Sequence, residues 1–257
     1  MIPAKKSLGQ NFLKSKEALR ALVEAGQVTA EDTILEVGPG KGVLTEELVK
    51  VAKKVIAVEK DDRLIELLIE KFKPEIAEGK LELLNQDILE YDPSVLGNYK
   101  IIANIPYYIT GTFLQKFLES DFQPSTMVLM VQKEVAQRIV ARDEKESILS
   151  MSVKAYGNPK YIMTVKAKYF SPAPNVDSAI IAIYDISKGF FTDIPEQKYF
   201  EIMKLGFAHK RKMLIGNLSE TYSREIILEA FAKAGINEKA RAEDLELSAW
   251  KQLVASL

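Results

Sequence analysis

The sequence contains no cysteine, a single histidine and a single tryptophan. The missing cysteine excludes disulfide scaffolds, thiolate zinc sites, iron–sulfur clusters and thiol nucleophiles, and a lone His209 leaves no pair for a metal site or a catalytic dyad. No metal is expected, and any chemistry has to come from carboxylates, amides and aromatic faces. Long apolar runs are missing too. The longest, around Met127–Val131 and Ala179–Tyr184, fall far short of the roughly 20 residues that span a bilayer. Met1–Gln10 is polar and basic rather than an apolar leader. No membrane association is expected, and the expected compartment is the cytoplasm.

With 47% hydrophobic and 28% charged residues among 257, the chain can bury a sizeable core, as one large α/β unit or as a main domain with a small appendage. A net charge of −1 is too small for a general polyanion binder, but the charges are unevenly spread. In residues 1–20, Lys5, Lys6, Lys14, Lys16 and Arg20 stand against Glu17. Residues 151–176 carry Lys154, Lys160, Lys166 and Lys168, and residues 204–215 carry Lys204, Lys210, Arg211 and Lys212, both without an acid. These three segments sum to +12 and leave −13 for the remainder. Gathered on one face they attract a polyanion; scattered, they are ordinary solvated lysines.

From Thr33 to Ile183, short β-branched runs alternate with amphipathic stretches, the pattern of a largely parallel sheet interleaved with helices. The expected strands are Thr33–Val37, Val55–Glu59, Leu81–Leu84, Lys100–Ala103, Thr126–Val131, Tyr161–Lys166 and Ala179–Tyr184. Helical periodicity is found at Leu44–Val51, Leu64–Phe72, Thr112–Glu119 and Lys133–Val140, and an earlier helix over Ser15–Ala25 has Ser15 as its N-cap. After Tyr184 the strand signals stop. Gln197–Phe207, Lys210–Leu218, Arg224–Ala234 and Leu247–Val254 read as helices, with Gly235 a C-cap and Trp250 in the core. The expected division is a main domain over 1–189 and a small all-helical domain over 190–257.

The first strand runs into Glu36-Val37-Gly38-Pro39-Gly40-Lys41-Gly42, where glycines allow a sharp turn and close approach of a ligand to the backbone. The spacing is neither the dinucleotide fingerprint nor a P-loop. The second strand ends at Glu59, about 20 positions on, where a carboxylate can accept hydrogen bonds from both ribose hydroxyls. The third leads to Asp87, placed to accept from an adenine amino group. Tight turns with solvated acids are the plain alternative; three features in order at strand ends favour a nucleoside site. Together they resemble the S-adenosylmethionine site of Rossmann-like methyltransferases.

The fourth strand ends in Asn104-Ile105-Pro106-Tyr107, the pattern of methyltransferases acting on exocyclic amino groups. The lone pair of such a nitrogen is delocalised into its ring. Acceptors supplied by the Asn104 side chain and by a backbone carbonyl in 104–106 can hold its two N–H groups and direct the lone pair at a methyl carbon. Pro106 sets the turn, and Tyr107 offers a face on which an unpaired base can stack, worth about 1–3 kcal/mol. A second face is expected from Phe170, presented by Ser171-Pro172-Ala173-Pro174, although a core aromatic is the alternative there.

Ser7-Leu8-Gly9-Gln10-Asn11-Phe12-Leu13, Glu36-Val37-Gly38-Pro39-Gly40, Asn104-Ile105-Pro106-Tyr107, Gln132-Lys133-Glu134-Val135, Phe170-Ser171-Pro172-Ala173-Pro174-Asn175-Val176-Asp177-Ser178, Phe207-Ala208-His209-Lys210-Arg211-Lys212 and Ala240-Arg241-Ala242-Glu243-Asp244-Leu245 follow in register. Over about residues 5–250 the chain resembles the ribosomal RNA adenine dimethyltransferases, the KsgA/RsmA family. The resemblance implies transfer of two methyl groups to each of two adjacent adenosines in a hairpin near the 3′ end of small-subunit ribosomal RNA, within an immature 30S particle; a monomer is expected, although nothing in the sequence reveals the oligomeric state.

It further implies that Asn11, Leu13, Gly38, Glu59, Asp87 and Asn104 bind S-adenosylmethionine, with Gln10 and Gly40 in the same site. Lys5, Lys6, Lys210, Arg211 and Lys212 would meet RNA, and His209 reads as a phosphate or solvent contact rather than a base. The chain departs from the family at Glu146-Ser147-Ile148-Leu149-Ser150, at Ile105, where leucine is commoner, and at Tyr108, where asparagine is commoner.

Alternatives remain open at this point. One is an Erm-type methyltransferase of large-subunit RNA. A DNA adenine methyltransferase is disfavoured by Asn104, where those enzymes typically carry Asp. The third is an RNA-binding assembly factor on the same fold that needs no catalysis.

Overall fold

The computed structural model describes residues 2–5 and 8–257. The chain divides into two compact units, residues 1–136 with 158–186, and residues 137–157 with 187–257.

The first unit holds β1 (Phe12–Leu13), α1 (Lys16–Ala25), β2 (Thr33–Val37), α2 (Val43–Val51), β3 (Lys54–Glu59), α3 (Asp62–Lys71), α4 (Lys73–Ala77), β4 (Leu81–Asn85), β5 (Lys100–Asn104), α5 (Thr110–Glu119) and β6 (Thr126–Gln132). α6 (Lys133–Ile139) then leads out of this unit. After an excursion carrying α7 (Ile148–Lys154), the chain returns as β7 (Asn158–Val165), β8 (Phe170–Ser171) and β9 (Ser178–Tyr184).

A seven-stranded sheet runs in the order β4-β3-β2-β5-β6-β9-β7. β4 through β6 are parallel and β9 is antiparallel to both its neighbours. The expected α/β, Rossmann-like sheet is therefore present. Its central strands are near-continuous apolar runs because both faces are covered: Ile34, Val55, Ala57, Ile102, Val128, Met130, Ile180 and Ala182 share one cluster with Leu19 and Leu22 of α1 and Leu44 and Leu48 of α2. Their alternating neighbours Leu35, Ile56, Ile101, Leu129 and Ile181 are also buried. Chain order reverses between β2 and β5, which opens a crevice at their carboxyl ends.

Several boundaries differ from expectation. β7 starts at Asn158, before Pro159, which the edge position tolerates because one side of the strand needs no ladder donor. The two-residue β1 and β8 pair antiparallel, Phe12 opposite Ser171 and Leu13 opposite Phe170, too short for any periodic signal. Ser15 caps α1 as expected, accepting from the Ala18 N–H at 3.2 Å.

The second unit carries α7 and, after Ser187, α8 (Glu196–Gly206), α9 (Leu214–Leu218), α10 (Arg224–Ala234) and α11 (Leu247–Ser256). Trp250 is fully buried and its ring stacks on Phe207 at 5.5 Å. Gly235 ends α10 in the left-handed region, as its position requires. Two expectations are corrected. The helical unit is not confined to 190–257: residues 137–157 belong to it, with Met151 and Ala155 in its core beside Tyr199 and Ile202.

The second correction is that residues 210–213 are not helical. α9 begins only at Leu214, because the basic run ahead of it is exposed and supplies no apolar face to pack. The departure at 146–150 also has a local reason. Ser147 and Ser150 form a reciprocal cap at the start of α7, and Glu146 receives Lys154 at 2.5 Å.

Candidate active site at the carboxyl ends of the parallel strands

A cleft of about 300 Å³ opens where β2, β3, β4 and β5 end. Gln10, Asn11, Leu13, Gly38, Gly40, Glu59, Asp87, Asn104, Pro106 and Tyr107 all line it. Sequence positions from 10 to 107 thus converge because the switch point gathers their strand ends.

Gly38 and Gly40 both have φ of +62°, a conformation that favours glycine. A Cβ on Gly38 would meet nothing within 4 Å, whereas one on Gly40 would stand 3.1 Å from the Phe12 ring. The turn thus leaves open space over Gly38 and is closed at Gly40 by the N-terminal segment. Glu59, buried at the end of β3, accepts N–H bonds from Gly40 at 3.1 Å and Asp61 at 2.9 Å. Burial pushes its carboxyl up from the ordinary range, against the opposing pull of the Asp61, Gly40 and Lys60 N–H groups. Each carboxylate oxygen keeps a second lone pair for a ligand hydroxyl. Asp87 receives Lys60 at 2.6 Å and the Leu89 N–H at 2.9 Å, and the Lys60 ammonium holds it below its usual value.

Gln10 lines the cleft, yet both ends of its amide are engaged within the protein. Its Nε2 donates to Asp61 at 2.8 Å and its Oε1 accepts the Lys5 N–H at 2.7 Å. Asp61 in turn caps α3 and pairs with Arg63 at 2.6 Å, and the Arg63 guanidinium holds its carboxyl well below the usual carboxylate range. Asn104 donates its Nδ2 to the Asn11 carbonyl at 3.3 Å, which ties the N-terminal segment to β5 and leaves Oδ1 without a partner among the described residues. Pro106 opens a short turn in which the Ile109 N–H reaches its carbonyl at 3.2 Å. The Tyr107 hydroxyl meets Ser178 Oγ at 2.5 Å, and burial raises that phenol.

Phe170 does not offer the expected stacking face. It is 2% exposed, lies opposite Leu13 and joins the core cluster, so in this structure it anchors the N-terminal segment rather than walling the cleft. Lys5, Lys210, Arg211 and Lys212 are exposed; Lys6 lies outside the described residues. Lys212 and His209 both approach Glu220, at 3.6 and 3.5 Å. The middle basic segment is not one free patch. Lys154 belongs to the second unit and pairs with Glu146, while Lys166 in the first pairs with Asp177 at 2.9 Å.

Residues not singled out beforehand also shape the cleft. Glu36 is fully enclosed, with Oε2 lacking any partner among the described residues, and burial with repulsion from Glu59 pushes its carboxyl up to about 8. Its place inside an apolar strand, Ile34-Leu35-Glu36-Val37, was the available signal. Lys60 and Tyr108 line the cleft as well.

Along its whole length, residues 1–257, the chain matches the model of the ribosomal RNA adenine dimethylase family. The chain belongs to this family. Among its relatives, the ribosomal RNA small subunit methyltransferase A of Dehalococcoides mccartyi is 43% identical over 98% of this chain and 88% of its own. Two crystal structures superpose closely, each at 25% identity. One is a dimethyladenosine transferase from Plasmodium falciparum, with a TM-score of 0.81 over 94% of this chain and 95% of the other. The second is the 23S rRNA methyltransferase ErmE, with a TM-score of 0.80 over 96% and 99%.

Proposed function

We propose that this chain uses S-adenosylmethionine to convert two adjacent adenosines in the 3′-terminal hairpin of small-subunit ribosomal RNA to N6,N6-dimethyladenosine. The observation that carries the reading is that Asn104, Pro106 and Tyr107 line the same cleft as Gly38, Gly40, Glu59 and Asp87.

The cleft suits that cofactor: the space over Gly38 admits a ligand against the backbone, Glu59 has lone pairs for ribose hydroxyls, and Asp87 is an acceptor for an adenine amino group. Asn11, Leu13 and Gln10 would close over it from the N-terminal side. When bound, S-adenosylmethionine supplies an electrophilic methyl carbon on a sulfonium. Asn104 Oδ1, which has no partner among the described residues while Nδ2 donates to Asn11, accepts one N–H of the target amino group. A backbone carbonyl in 104–106 takes the other, although that of Pro106 already accepts the Ile109 N–H. The nitrogen lone pair is then turned toward the methyl carbon, and no base of shifted pKa is needed. Tyr107, fixed through its hydroxyl to Ser178, supports the base.

The substrate is the RNA of an immature 30S particle in the cytoplasm, and the chain acts as a monomer. Lys5, Lys6, Lys210, Arg211 and Lys212 would meet the RNA backbone. Full-length identity to small-subunit enzymes favours this over large-subunit methylation, which the likeness to ErmE keeps as the second reading. The test is transfer of labelled methyl groups to immature 30S, mature 30S and 50S precursor particles, with mass mapping of the product. Dimethyladenosine in the small-subunit hairpin is expected. Label only in large-subunit RNA would move the chain to the second reading, and no label with cofactor bound would favour an RNA-binding assembly factor.

A further inference from the structure

Beside the cleft lies a second hollow bounded by Gly9, Asn11, Tyr107, Tyr108 and Gln132. Gly9, Asn11, Tyr107 and Tyr108 border both cavities, and Gln132 borders the hollow alone. Tyr108 is 64% exposed, and its hydroxyl has no hydrogen bond among the described residues. The ring is nevertheless held in place. Gly9 lies against one edge of it: a Cβ there would stand 3.3 Å from Tyr108 Cδ1, a tight contact, and Gly9 itself has φ of +62°. The turn carrying it is fastened by Thr110 Oγ1 donating to the Tyr107 carbonyl at 3.0 Å and by the Ile109 N–H on the Pro106 carbonyl. An open aromatic face on a fixed turn, with the amides of Asn11 and Gln132 at the rim, combines a stacking surface with donors and acceptors.

We propose that this hollow is a subsite for an unpaired nucleobase adjoining the base being methylated, with Tyr108 as its stacking surface. The inference rests on the reading of the chain as an RNA adenine methyltransferase. The hollow is continuous with the Asn104–Tyr107 turn, and a substrate bearing two adjacent adenosines brings a neighbouring base to that place. With Phe170 buried, Tyr107 is the expected aromatic face that remains, and Tyr108 stands next to it in the chain.

The test uses the full chain and a short single-stranded RNA containing adjacent adenosines, one replaced by fluorescent 2-aminopurine beside the target. Wild type and Tyr108→Phe should quench the probe on binding. Tyr108→Ala should lose the quenching, weaken oligonucleotide binding about tenfold and raise KM for RNA more than it lowers kcat, with the dissociation constant for S-adenosylmethionine unchanged. The proposal is overturned if Tyr108→Ala keeps wild-type quenching and affinity, if it weakens the cofactor by the same factor, which would make the ring a cover of the cofactor cleft, or if the wild type does not bind the oligonucleotide. A wild-type chain that quenches the probe but methylates no RNA would sink the functional reading and leave the subsite standing.

Discussion

Around Glu59 the polar atoms are already partnered within the protein: Gly40 and Asp61 N–H groups on Glu59, Gln10 and Arg63 on Asp61, Lys60 and Leu89 on Asp87. Around Asn104 they are not. Among the described residues Asn104 Oδ1 has no partner, Tyr108 is exposed, and Asn104 and Tyr107 are held through Asn11 and Ser178. On the proposed function, the nucleoside end would be built in advance and would accept a small ligand on spare lone pairs, while the base end holds Asn104 Oδ1 open for a target that arrives from solution. Preorganisation costs little where the ligand is always the same, and open acceptors are what a transient transition-state contact requires.

Four perturbations sharpen that contrast. The largest effect is expected at the open end. Asn104→Ala should lower methyl transfer by about 10²–10³ while RNA binding by filter retention stays near wild type; parallel loss of both would make Asn104 a structural residue. At the partnered end, Glu59→Ala should act on binding rather than turnover. S-adenosylmethionine affinity, read by calorimetry, should fall about 10- to 100-fold, since two charge-assisted bonds are lost. It should also lower Tm, because the Gly40 and Asp61 N–H groups lose their acceptor.

A third test uses pH. Glu36 titrates near 8 in the folded chain against an ordinary 4.5, so folding favours its protonated form. Its contribution is complete below about pH 4.5 and is lost as pH rises through about 8. Wild type should therefore lose urea stability between those limits more steeply than Glu36→Gln; equal slopes would mean that Glu36 is ionised when folded. The smallest effect is expected from Lys210→Ala with Arg211→Ala. RNA affinity should weaken modestly and without sequence preference, and the dependence on salt should become shallower by about one unit of log–log slope per phosphate contact.

Much of this was legible in the chain. The β-branched runs mark strands because a sheet covered on both faces needs them, and Gly38, Glu59, Asp87 and Asn104 stand at strand ends, where a parallel sheet presents its ligand. Ser15 and Gly235 announce helix ends through local backbone chemistry that needs no tertiary partner. Phe170 was not legible: as a residue type it suits a binding face or a core equally, and only its pairing opposite Leu13 decides for the core. Nor was the assignment of residues 137–157, whose apolar side chains show that they are buried but not against which unit. Gln10 and Asp61 lie far apart in sequence, so their bond depends on where β3 ends relative to the N-terminal segment. Periodicity and capping are properties of neighbours along the chain and can be read from it. Which buried face meets which, and which polar atom is left free for a ligand, depend on distances between distant segments that the packed tertiary structure alone sets.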